Sequence, residues 1–192
     1  MMQVADARLS PFNELKARAV AARFLTLAGG RINILKLVKL IYLVDRESTK
    51  RRNIPVVGGL YVSMKYGPLT SELLDKINGE ETRGDWSLHI SDRNNHEVAL
   101  EKEVGDLSDQ LSDSEESLVD QLFEQTKDMS QWELSHWCHR NCSEWNPVET
   151  GMEPINASAF LKAIGKTAEE QQRILAHAQE ADFLENLLGA EN

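Results

Sequence analysis

The chain has 192 residues, 41% of them hydrophobic and 27% charged, which suits one domain with a single sizeable core. Its net charge of −10 is unevenly spread: residues 1–55 hold eleven Lys/Arg against four Asp/Glu, and residues 56–192 hold ten against 27. No run approaches the roughly 20 apolar residues of a membrane span, residues 1–6 lack an export signal, and Cys138 and Cys142 make no disulfide framework, so a cytoplasmic protein without membrane contact is expected.

In chain order, Pro11 and Gly29-Gly30 bracket a helix over 13–28. Asn33 caps the strongest element, a helix over 33–52, in which Ile34, Leu37, Val38, Ile41 and Val44 gather on one side. Leu35, Leu40 and Tyr42 widen that arc, so most of this helix is expected to be packed. Asn53-Ile54-Pro55 stops it and Val56-Val57-Gly58-Gly59 reads as a loop. Gly67-Pro68 suggests a helix start, with Pro68 in the first turn of an element over 65–77. Alternation in Trp86-Ser87-Leu88-His89-Ile90 and His96-Glu97-Val98-Ala99-Leu100, around Asp92-Arg93-Asn94-Asn95, predicts a small β-hairpin near 86–100. A polar connection over 105–113 leads to helices over 114–127, 130–140, 156–163 and 167–188, two of them opened by the capping boxes Ser130/Glu133 and Thr167/Glu170. The expected fold is mainly α: a single compact helical domain with that one hairpin.

Several residues offer chemistry. His136, Cys138, His139 and Cys142 are all zinc-competent. On a helix, however, the histidines share one face and the cysteines another, so all four converge only if the helix breaks. A Cys–His nucleophile is the other option, against the plainer reading of small buried cysteines. Phosphate-binding glycine loops and an HExxH pair are missing, so neither catalysis, nor a metal, nor a cofactor is expected. Asp45 projects from the apolar arc of the 33–52 helix and needs a polar partner to offset burial; His136, an Arg or a Tyr would serve. Lys36, Lys39, Arg46 and Lys50, followed by Arg51-Arg52, form a basic stripe. It can grip phosphates, as a nucleic-acid-binding regulator would, or pair internally with acidic helices. No aromatic platform interleaves with it, so nucleic acid is not the expected partner.

The run Leu-Lys-Leu-Val-Lys-Leu-Ile-Tyr-Leu-Val-Asp (35–45), Ile54-Pro55, then Met64-Lys65-Tyr66-Gly67-Pro68 with Leu69 and Leu73-Leu74, resembles the Panacea domain, the family of SocA-like antitoxins and phage-associated GepA-like proteins. Leu134-Ser135-His136 and Trp145 before Ile155 resemble its C-terminal block, except that Glu144 stands where the family often has Pro before the tryptophan. The blocks span about 34–77 and 132–160 of a single domain over 1–192, leaving the 84–102 hairpin and the 167–188 helix as variable regions. The resemblance implies an antitoxin that binds a cognate protein toxin. Adaptors that deliver a toxin to a Clp-type protease are also similar. It further implies that Lys36, Lys39, Tyr42, Asp45, Gly67, Pro68, His136 and Trp145 mostly hold the fold. Exposed members among Trp86, Trp132, Trp137 and Trp145 are then the candidate toxin anchors, with the acidic surface drawing in a basic partner.

Overall fold

A computed structural model of the chain describes residues 8–79, 85–91, 94–101, 107 and 109–189; at 182 and 184–189 only the backbone is described. As the sequence predicts, the architecture is mainly helical, with small antiparallel sheets.

Helix α1 (Glu14–Leu27) begins where the Asn13 side chain accepts from the Lys16 N–H at 3.0 Å. A three-residue strand, β1 (Arg31–Asn33), leads straight into α2 (Ile34–Arg52), whose N-cap Asn33 accepts from the Leu35 and Lys36 amides. Asn53 closes α2 in the left-handed conformation. Leu37, Leu40, Ile41 and Val44 are fully buried, and α1, α3, α5, α6, β1 and β3 pack around α2. Each such aliphatic side chain contributes about 1.5–3 kcal/mol on leaving water, which makes α2 the axis of the core.

The chain after α2 departs from the sequence reading. Gly67 and Pro68 do not start a helix. They lie in strand β3 (Gly67–Thr70), paired antiparallel with β2 (Tyr61–Met64) across the two-residue turn Lys65-Tyr66, and α3 (Ser71–Asn78) begins only afterwards. Gly67 has φ +105°, outside any right-handed helix, while Pro68, without an N–H, sits in an edge strand where none is required.

The predicted 86–100 hairpin is also corrected. Residues Trp86–His89 form a helical turn, α4, and strand β4 (Glu97–Ala99) pairs instead with β1, Ile32 opposite Val98. One bridge, Ile90 to Leu100, joins the two halves. Trp86, His89 and Ile90 are buried, the three- and four-residue spacing of a helix rather than strand alternation. Asp92 and Arg93 of the expected turn lie outside the described residues.

Helix α5 (Asp113–Thr126) opens on a Ser112/Glu115 capping box and α6 (Gln131–Asn141) on the expected Ser130/Glu133 box. Strand β5 (Glu153–Pro154) completes the order β3-β2-β5, and α7 (Ala157–Ala163) and α8 (Ala168–Gly189) follow. Phe160 of α7 stacks on Tyr61 at 5.0 Å and meets Tyr42 edge-on at 6.1 Å. Among the described residues no helix is long and apolar enough to cross a membrane.

Candidate functional site

Asp45 is fully buried in α2, as its helix phase requires, and its partners are a tyrosine and a loop. One oxygen accepts from the Val56 and Val57 amides at 2.8 and 2.7 Å; the other accepts from the Gly58 amide at 2.8 Å and the Tyr61 hydroxyl at 2.9 Å. A single carboxylate thus fastens the loop after α2 and the first residue of β2 to the helix. Gly58 makes the approach feasible: at φ +73° it lies against Ser10 and the Pro11 carbonyl, where a side chain has no room. Burial raises Asp45 to about 6, against the pull of these four hydrogen bonds. His136, the other partner considered, is exposed.

One turn earlier on α2, the Tyr42 hydroxyl donates to buried Glu144 at 2.7 Å, and Arg46 Nε pairs with the same oxygen at 2.7 Å. Glu144, directly before Trp145, thus supplies the counter-charge for α2. Most of the rest of the basic stripe is also engaged internally, with Lys50 left exposed. Lys36 donates to the Lys127 and Met129 carbonyls, Arg51 pairs with Glu47, and Arg52 reaches Ser48 and Ser114. Lys39 is completely buried.

Lys39 donates to the Pro68 carbonyl at 2.7 Å, holding β3 on α2. A Cβ on Gly67 would come within 3.3 Å of its Cε and Nζ and 3.4 Å of the His139 ring. Burial lowers Lys39 to about 8, the nearby thiols of Cys138 and Cys142 partly opposing. Those thiols hydrogen-bond to one another, which lowers Cys138 and, with burial, raises Cys142. His139 stacks on Trp145 at 4.0 Å, Trp145 Nε1 donates to the Met64 carbonyl, and Ser135 donates to that of Tyr66. The β2–β3 turn is thereby tied to α6. His139, which the sequence offered as a zinc ligand or as the base of a Cys–His pair, is the histidine of this frame; His136 stands outside it. Helix α6 runs unbroken through Asn141, so the two histidines and two cysteines do not converge. Among the described residues no group of three or more metal-competent side chains comes together.

The tryptophans divide by exposure. Trp86 is buried at 6% and Trp137 is half-buried against the core, whereas Trp132 is 48% exposed. Trp132 meets Tyr66 edge-on at 5.3 Å, and Tyr66 is itself 45% exposed. The pair stands beside a groove of about 730 Å³ between the start of α2, the β2–β3 hairpin and the first turn of α6. A shallower acidic hollow of about 620 Å³ runs along α5 past Asp113, Glu116, Asp120 and Glu124. Sequence reading missed Tyr61, Glu144 and Tyr66. The continuous apolar–polar run Tyr61-Val62-Ser63-Met64 was the available strand signal for the first and last.

These features define a helical domain in which buried charges clamp a strand hairpin to a central helix and leave an apolar groove open. The sequence model of the family described as "Antitoxin SocA-like, Panacea domain" matches residues 37–146, more than half of the chain, and the chain belongs to that family. The match contains Lys39, Tyr42, Asp45, Gly67, Pro68, His136 and Trp145 and ends one residue beyond that tryptophan. No curated protein and no solved structure gives a match.

Proposed function

We propose that this chain is an antitoxin that neutralises a cognate protein toxin by binding it directly. The observation that carries this reading is how the polar residues behind the sequence resemblance are used. Lys39, Tyr42, Asp45 and Trp145 are committed to internal hydrogen bonds, while the aromatic pair Tyr66–Trp132 is open to solvent. Motif residues then build a platform, and no catalytic step enters the reading. A neutralising contact needs about 1,200–2,000 Å² of buried surface with a few anchoring side chains. The excess of acids over residues 56–192 would speed encounter with a basic toxin. The protein would act in a reducing cytoplasm, where Cys138 and Cys142 stay thiols.

Co-expression with the product of an adjacent toxic reading frame tests this: growth is restored, and the two proteins co-purify. Continued lethality despite folded protein would overturn it. Delivery to a Clp-type protease would show itself as protease-dependent loss of the toxin; direct neutralisation leaves the toxin abundant and inactive. The alternative, a nucleic-acid-binding regulator, has less support, because the basic stripe is largely engaged with the protein itself.

A further inference from the structure

We draw no further inference here: the strongest candidate, the apolar groove between the start of α2, the β2–β3 hairpin and the first turn of α6 with Tyr66 and Trp132 at its edge, carries nothing because nothing in the structure shows what covers it.

Discussion

The Tyr61 hydroxyl donates to Asp45 across 2.9 Å, and both residues are buried. With three amides from 56–58 on the same carboxylate, four donors converge on one side chain. Asp45→Asn presents an amide NH₂ to some of these donors and is expected to lower stability by about 1–3 kcal/mol, with Tyr61→Phe near 1 kcal/mol. Urea denaturation at pH 7 measures both.

Asp45 also predicts a pH signature. Its folded pKa is raised, from 3.8 to about 6, so its stabilising contribution is present below 3.8 and is lost as pH rises through 6. The full effect is on the order of 3 kcal/mol at about 1.4 kcal/mol per pH unit. The wild type minus Asp45→Asn stability difference should therefore shift in Asp45→Asn's favour between pH 4 and pH 6.5. A difference that stays flat over this range would remove the assignment.

Glu144 is shared by Tyr42 and Arg46. Glu144→Gln leaves the mostly buried guanidinium without its counter-charge and is expected to cost roughly 3 kcal/mol. Arg46→Met in the same background should recover part of the loss. A double-mutant cycle reads this as a coupling of about 1–3 kcal/mol.

Lys39 gives the opposite slope. Its folded pKa is depressed, so its contribution is present above 10.5 and lost as pH falls through 8, and at pH 7 the charged lysine destabilises the fold. Lys39→Met is expected to raise stability at pH 7 by about 1–3 kcal/mol, the lost Pro68 hydrogen bond offsetting part of the gain. Melting temperatures at pH 7 and pH 10 should converge between the two proteins.

Gly67→Ala forces a side chain into φ +105° and toward Lys39 and His139. The expected loss is about 1–3 kcal/mol, seen by thermal melting, with Gly79→Ala, a helix C-cap open to solvent, losing less.

Local signals carried most of the helices. Asn33, the broad apolar arc of α2 and the Ser130/Glu133 box each act within a few residues, so sequence alone locates α2 and α6. What failed depends on distant pairing. The five-residue window Trp86–Ile90 is too short to separate period two from one helical turn, and the real partner of 97–99 lies at 31–33, far back in the chain. Pro68 satisfies either a helix start or an edge strand, and only pairing with 61–64 decides between them.

The candidate site was legible in part for the same reason. The burial of Asp45 follows from helix phase. Its partners come from a loop and a strand whose placement no local pattern encodes. Glu144, directly before Trp145, is intelligible only once Tyr42 and Arg46 are beside it.

The most direct measurement is titration of the purified adjacent toxin with this protein, following toxin activity and integrity together. Direct neutralisation predicts that activity falls to background near one equivalent, while the toxin stays intact and recoverable in active form after the complex is dissociated. Full toxin activity in the presence of excess folded protein would contradict it.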